Sequence, residues 1–318
     1  MNFKEKLSQL RAIIIDNLAQ LIDNDFVLMD LPYHSNIGDI LIWEGEIQFL
    51  NNFKNKYKLL YSCSQQTFRN REFNKNIIIL MHGGGNFGDI WCNHHEFKLN
   101  IIDIYKNNKI IIFPQTVFYS DKEKMYRDSE LFSSHKNIFI CARDKKSYKI
   151  LNDNFNNKIL LVPDMAFCIQ SFLLERYKSN IIDKSLFLKR TDKEINKYID
   201  YSMFILDKKI DTHDWRTMEK FDLICSYMNC FVRQGRKSNI IFPKIADIYA
   251  SALFKNYMIK NGVGFISKYN RIYTTRLHGA ILSCLLEKPC TLFNNSYGKN
   301  RDFFETWLSD LDEMSLVS

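Results

Sequence analysis

Arg276 and His278 stand two residues apart in TTRLHGAILSCLLEKP, after a short apolar run and at the start of an apolar helical pattern. Arginine is a fixed cation whose planar fork matches a carboxylate or a phosphate, and histidine moves a proton near neutral pH. A lone histidine at a helix start also serves as a cap or a hydrogen-bonded structural group, and both uses stay open at this point. Arg190 closes another run, 185–188, in the stretch ending KRTDKE. Two arginines at the ends of separate strands are harder to set aside, because an unpaired buried guanidinium is costly. A further centre is IIILMHGGGNFGDIW, residues 77–91, where Gly83, Gly85 and Gly88 fall at G-x-G-x-x-G spacing behind an apolar run. Glycine lets a ligand approach the backbone, and Asn86 and Asp89 add polar groups where a βα loop opens onto a crevice. A tight turn without ligand is the plainer alternative. The dinucleotide reading is weak, since Asp103, at the usual acidic offset, sits inside an amphipathic helical pattern. Earlier in the chain, the loop 33–39 brings Asn36, Gly38 and Asp39 to the carboxyl end of a strand and the amino end of a helix, a place that holds anions or polar ligands. Asp39 reads equally well as a simple helix cap.

These residues need a scaffold, and the apolar periodicity supplies one. Residues 3–22 read as an amphipathic helix and 26–29 as a strand, followed by a helix with apolar Ile40, Trp43, Ile47 and Leu50. Strands follow at 58–63, 77–81, 109–113 (ending in PQT), 138–142 and 159–162, with helices at 96–106, 122–133 and 146–152. Repeated βα units of this length predict a parallel sheet covered on both faces. A crossover at 165–185 leads to a second series: a strand at 185–188, helical segments at 217–233 and 243–260, and strands at 271–275 and 291–294 around the helix after RLHG. The chain closes in SYGKNRDFFETWL, a helix expected to pack back toward the first half. The fold class is α/β, two open domains facing a cleft, with the division at 1–170 and 171–318.

A chain of 318 residues exceeds one ordinary core. Its 46% hydrophobic and 25% charged residues are normal for a globular protein. The first residues lack a signal-peptide pattern, and no run approaches the roughly 18 apolar residues of a membrane span. A cytoplasmic protein is therefore expected. Eight cysteines stand singly, with no C-x-x-C pair, and read as reduced core residues. The net charge of +8 is spread along the chain. It suits an anionic substrate, or attraction to an acidic membrane surface, better than a nucleic-acid groove. His82, His94 and His95 lie close in sequence, but no ligand spacing with carboxylate or cysteine accompanies them, so no metal is expected.

Taken together, HSNIGDILIWEGEIQFL, MHGGGNFGDIW, FPQTVF, CARDKKSY, VPDMAF, LKRTDKE, TTRLHGAILSCLLEKP and NSYGKNRDFFETW resemble the polysaccharide pyruvyl transferase family, in that family's order and over nearly the whole chain. The resemblance implies a glycosyltransferase-B-like pair of Rossmann-like domains. It implies transfer of a pyruvyl group from phosphoenolpyruvate, as co-substrate and without further cofactor, to a sugar of a surface or capsular polysaccharide or its precursor, forming a ketal and releasing phosphate. On this reading Arg190, Arg276 and His278 hold the donor and assist transfer, with His278 in the acid–base role, and Lys299 adds a phosphate contact. Asn36, Asp39, Gly85, Asn86 and Asp89 line the opposite wall and meet the acceptor, which is a free sugar, a lipid-linked oligosaccharide or a polymer. The 1–170 domain is then the acceptor side and 171–318 the donor side, with the protein cytoplasmic or peripheral at the inner membrane face. A glycosyltransferase of the same architecture, using a nucleotide-sugar, is the alternative. A non-catalytic sugar-binding partner in envelope assembly is a third reading, which the intact Arg190, Arg276 and His278 argue against. The stretch 195–240 carries little of the family pattern beyond THDW, and the sequence leaves the oligomeric state open.

Overall fold

Short all-apolar runs dominate the strands, and such runs suit parallel sheets buried on both faces. The computed structural model, which describes residues 1–218, 227, 230 and 241–318, contains two of them. The first is built from β1 (Phe26–Met29), β2 (Leu59–Ser62), β3 (Ile78–Met81), β4 (Gly84–Gly88), β5 (Ile110–Phe118), β6 (Ile138–Ala142) and β7 (Lys158–Leu161). Its order is β2-β1-β3-β5-β6-β7, with β4 set against β5. All its pairings are parallel, and every residue of β1 and β3 is buried. The second sheet comprises β8 (Ile182–Leu188), β9 (Ile210–His213), β10 (Tyr269–Thr274), β11 (Cys290–Phe293) and β12 (Met314–Val317), in the order β12-β11-β10-β8-β9. It too is parallel throughout. This mixed α/β arrangement is consistent with Rossmann-like folds.

Three features differ from the sequence expectation. The glycine stretch is not a bare loop: Gly84–Gly88 forms β4 and pairs with the far end of β5. Gly88 has φ of 111°, and a side chain there would come within 1.9 Å of the Phe118 carbonyl oxygen, so close backbone approach demands glycine. Second, β5 does not stop at Phe113 but runs on through Pro114 to Phe118. The ladder to β6 shifts register between Ile112 and Gln115, where the missing proline N–H interrupts no regular pairing. Third, the sequence pattern gives no sign of β9, of β12 or of the short helix Ser202–Leu206. The expected helix 217–233 lies mostly outside the described residues. The segment expected at 243–260 is a longer helical run, Ile241–Tyr249 and Lys255–Ser267 joined by a π-helical turn at Ala250–Phe254.

One hydrophobic cluster spans both sheets, including Leu28 and Ile111 of the first and Leu186, Ile272 and Leu292 of the second. The helix Ile37–Leu50 sits in that layer, packing on Lys255–Ser267 and on Leu277–Leu285. Its burial runs nearly all round the helix, as expected for an element between two sheets. A second cluster lies on the outer face of the first sheet. At the far end the helix Lys299–Trp307 packs on Lys145–Asn154, where Trp307 Nε1 donates to the Arg143 carbonyl at 2.7 Å.

Candidate active site

Loops at the carboxyl ends of the strands of both sheets converge on a pocket of about 320 Å³. From the first sheet come His34, Asn36 and Asp39 after β1, Gly85 and Asn86 in β4, Trp91 and His94 beyond it, and Arg143 after β6. From the second come Arg190, Asp192 and Glu194 after β8, Trp215 after β9, Arg276, Leu277 and His278 after β10, and Lys299 after β11. Open parallel sheets bind ligands in this position because the loops and helix amino ends gather there.

Each cation of the pocket carries a carboxylate partner. Arg276 forks onto Asp214, through Nε to Oδ1 and Nη2 to Oδ2, the latter at 2.6 Å. Arg190 takes Asp192 through Nε at 2.7 Å and Nη2 at 3.1 Å, and Glu194 through Nη1 at 2.8 Å. Burial works against the Arg190 charge, yet Glu194 and Asp192 keep the guanidinium held above its usual range. Lys299 donates to the same Glu194 oxygen at 2.6 Å. Burial would raise Glu194, but Lys299 and Arg190 hold it well below the carboxylate range. Arg143 donates from Nε to Thr116 and from Nη1 to Asp164, at 2.8 and 2.7 Å. Its Nη2 points at Gly85, where an added methyl would lie 3.1 Å away. Glycine at position 85 therefore keeps a guanidinium edge open to the pocket.

The partners differ in how firmly they are sealed. The Glu194 and Asp214 side chains are 5% and 6% exposed, whereas Asp192 is 30% exposed. Asp192 also lies 3.4 Å from Arg276 Nη2, so one half-open carboxylate sits between two arginines.

Opposite, Asn36 caps the helix Ile37–Leu50 by accepting from the Gly38 N–H at 3.0 Å, and its amide donates to Asp39 at 2.8 Å. Asp39 thus lies in the first helical turn but is not the cap. Burial opposes its charge, while His34 and His278 hold its carboxyl below the usual range. Lys98, fully buried, fixes the Asn86 side-chain oxygen and Asp30 at 2.9 Å each. The three neighbouring histidines part company. His82 pairs with Glu46 at 2.8 Å, His94 with Asp30 at 3.0 Å, and His95 with Asp128 at 2.7 Å. Among the described residues no three histidine, cysteine or acidic side chains gather as metal ligands. At the mouth, Lys193 stands 4.5 Å over the Trp91 ring and donates to the Ile90 carbonyl at 3.2 Å, linking loops of the two sheets.

The pocket brings together Arg190, Arg276, His278 and Lys299 from the second half with Asn36, Asp39, Gly85 and Asn86 from the first. Asp89 is the exception and corrects the sequence expectation. Its Oδ2 accepts from Ser120 N and Oγ and from Asp121 N, at 2.6, 2.8 and 2.9 Å. That carboxylate secures the turn into the helix Lys122–Ser134 and lies outside the pocket lining. Missed from sequence were Arg143, Asp164, Asp192, Glu194, Asp214 and Trp215. The signal for each lay inside CARDKKSY, VPDMAF, LKRTDKE and THDW, all quoted as motifs without being resolved into side chains.

The family's sequence profile, described as Polysaccharide pyruvyl transferase, matches residues 36–297. The chain belongs to the polysaccharide pyruvyl transferase family. It is 31% identical over its full length, and over 94% of the relative, to the Bacillus subtilis (strain 168) protein named "Putative pyruvyl transferase EpsO". It is 26% identical to Pyruvyl transferase 1 of Schizosaccharomyces pombe, over 91% of this chain and 72% of that one. A crystal structure of a functionally uncharacterized protein from Klebsiella pneumoniae superposes over 100% of this chain and 99% of the other, with a TM-score of 0.62 at 21% identity, a likeness of fold. Membership in the pyruvyl transferase family makes the chain a transferase. Among the described residues no helix is long and apolar enough to cross a membrane.

Proposed function

We propose that this chain transfers the pyruvyl group of phosphoenolpyruvate to a sugar of a surface polysaccharide or its precursor, in a cleft between Rossmann-like domains 1–170 and 171–318. One observation carries the reading: Arg143, Arg190, Arg276 and Lys299 share a single pocket with His278, Asn36, Asp39 and Asn86. Phosphoenolpyruvate is a small dianionic-to-trianionic molecule, and its carboxylate and phosphate both suit guanidinium forks and ammonium groups. The donor enters by taking the place of Asp192 between Arg190 and Arg276, since Asp192 is the least sealed of the carboxylates there.

The chemistry follows from the donor. A proton from His278 adds to the methylene carbon, leaving positive charge at C2. An acceptor hydroxyl held near Asp39 and Asn86 forms the new C–O bond at C2 and loses its proton. The bond from C2 to the phosphate oxygen breaks, phosphate leaves with the electron pair, and a second hydroxyl bonds to C2 and loses its proton. Of the two protons released, one returns to His278 and the other leaves with the phosphate. Arg190, Arg276 and Lys299 offset the charge on the leaving phosphate, and no additional cofactor is required. The positive surplus of +8 fits work at the acidic inner membrane face on a lipid-linked acceptor, and binding to acidic vesicles at low salt tests that location.

Thermal-shift measurements with phosphoenolpyruvate and with nucleotide-sugars test the donor directly, because a ligand of the native state raises the unfolding temperature. Stabilisation by phosphoenolpyruvate, together with acceptor-dependent phosphate release, is expected. Stabilisation by a nucleotide-sugar alone would overturn the proposal.

A further inference from the structure

His278 offers two ring nitrogens, and the structure treats them differently. Nε2 is buried and has no hydrogen bond; its acidic neighbour is Asp164, with Oδ2 at 3.4 Å. The Nδ1 side lies over Gly38, where a methyl group would come within 2.5 Å. The Asp164 side chain is 1% exposed and immobilised: Oδ2 accepts from Arg143 Nη1 at 2.7 Å and Oδ1 from the Ala166 N–H at 3.0 Å. It follows β7 in the VPD stretch, on a different element from His278. Burial would raise its carboxyl, but His278 and then Arg143 hold it far below the usual range, so it stays ionised.

We propose that Asp164 is the positioning residue for His278: its ionised carboxylate accepts a hydrogen bond from Nε2–H and leaves Nδ1 to exchange a proton with the substrate. A fixed carboxylate beside one imidazole nitrogen selects the tautomer and stabilises the imidazolium. The 3.4 Å separation shortens when the pocket is filled, as catalytic contacts in empty sites commonly do. The need for such a partner is local. His278 shares the pocket with Arg143, Arg190, Arg276 and Lys299. Asp164, at Nε2, and Asp39, from the helix Ile37–Leu50, put negative charge beside the ring, as Asp192 and Glu194 do elsewhere in the same pocket. Arg143 bonds the same Asp164 oxygen and so both fixes and tempers that effect.

The role in turnover rests on the proposed pyruvyl transfer, whereas the pairing can be read without any substrate. Nitrogen-15 histidine spectra of the full chain, with His278 assigned by its loss in His278→Gln, give the tautomer. The parent is expected to carry the neutral-state proton on Nε2. Asp164→Ala is expected to move the neutral-state proton of His278 toward Nδ1, because the carboxylate that selects the Nε2–H tautomer is removed. The same variant should reduce kcat with phosphoenolpyruvate by about a hundredfold or more, with KM for the donor changing little. An Nδ1–H tautomer in the parent overturns the proposal, and that result needs no variant to fold. An unchanged Nε2–H tautomer in folded Asp164→Ala overturns it as well. A shifted tautomer without turnover on phosphoenolpyruvate supports the pairing and counts instead against the donor reading.

Discussion

Arg190 and Arg276 reach the pocket already paired with carboxylates, and this decides how an anion binds. Asp214 and Glu194 are sealed, and removing either would strand a buried cation at a cost of several kcal/mol. Asp192 is part-exposed and forms the replaceable pair, of the kind worth about 0.2–1 kcal/mol. Asp192→Asn should therefore tighten phosphoenolpyruvate about two- to fivefold, while Arg190→Ala should weaken it about ten- to a hundredfold through loss of a charge-assisted contact. Calorimetric titration measures both, and weaker binding by Asp192→Asn would remove Asp192 from the donor seat. At this scale the sequence revealed the cations better than their partners. Arg190, Arg276 and His278 stand out because strand-end arginines and a helix-start histidine are uncommon. Asp192 and Glu194 are hidden in LKRTDKE, which reads as a solvated charged loop. Arg143 is hidden next to Asp144, whose side chain does cap the following helix through the Ser147 N–H at 2.7 Å. Asp89 misled for the opposite reason: its place in the glycine motif suggests a ligand, while its actual partners lie some 30 positions on, at Ser120 and Asp121.

The helix Ile37–Leu50 connects these residues to the architecture, since its first turn holds Gly38 against the His278 ring. Alanine at position 38 would favour the helix by up to about 1 kcal/mol, but its methyl would lie 2.5 Å from Nδ1 and 2.8 Å from Cγ of His278. Gly38→Ala should therefore fold with near-parental stability while kcat falls about tenfold or more; unchanged kcat would show that the ring is not held there. The helix Ile241–Tyr249 docks by a different device. Its buried Asp247 accepts from Tyr33 at 2.8 Å and Thr67 at 2.6 Å, and burial raises its carboxyl to about 6 despite Arg71 and Arg69. A raised folded-state value means that the stabilising contribution is full below the unfolded value of 3.8 and is lost as pH rises through about 6. The loss amounts to about 2–3 kcal/mol. Asp247→Asn keeps an acceptor for Tyr33 and Thr67 without the charge, so its Tm should exceed the parent's at pH 8 and converge with it near pH 4. Parallel Tm curves from pH 4 to 8 would contradict this. Periodicity exposed most of these elements, because long apolar runs and amphipathic helices carry their burial in their pattern. It could not expose β9, of whose four residues Ile210–His213 three are polar, at a sheet edge, nor β4, where glycines pair by backbone alone.

Across the whole molecule, the sequence suggested two domains, each large enough for its own core, whereas the apolar packing joins them. The helix Phe3–Leu18 opens the first half yet packs on Leu277–Leu285 of the second. On it, Arg11 donates to the carbonyls of Phe167 and Ile169 at 2.8 and 2.7 Å, and Lys6 pairs with Asp310 at 2.8 Å. The helix Ile37–Leu50 lies between the sheets, with residues of both in one cluster. Interfaces that are large and apolar do not open freely, since separating them exposes surface at about 25 cal/mol per Å². Movement around the pocket should then be limited to loops, such as the Lys193 contact over Trp91, rather than a swing of whole halves. The full chain should accordingly unfold in one cooperative transition, with calorimetric and van't Hoff enthalpies in agreement. A fragment of residues 171–318 would lack the helices 3–18 and 37–50 that cover its inner face. It should expose that face, bind a hydrophobic dye and show no sharp thermal transition. If the fragment instead melts cooperatively, and the full chain shows two transitions of which phosphoenolpyruvate shifts only one, the halves are independent domains and the shared core is a docking surface between them.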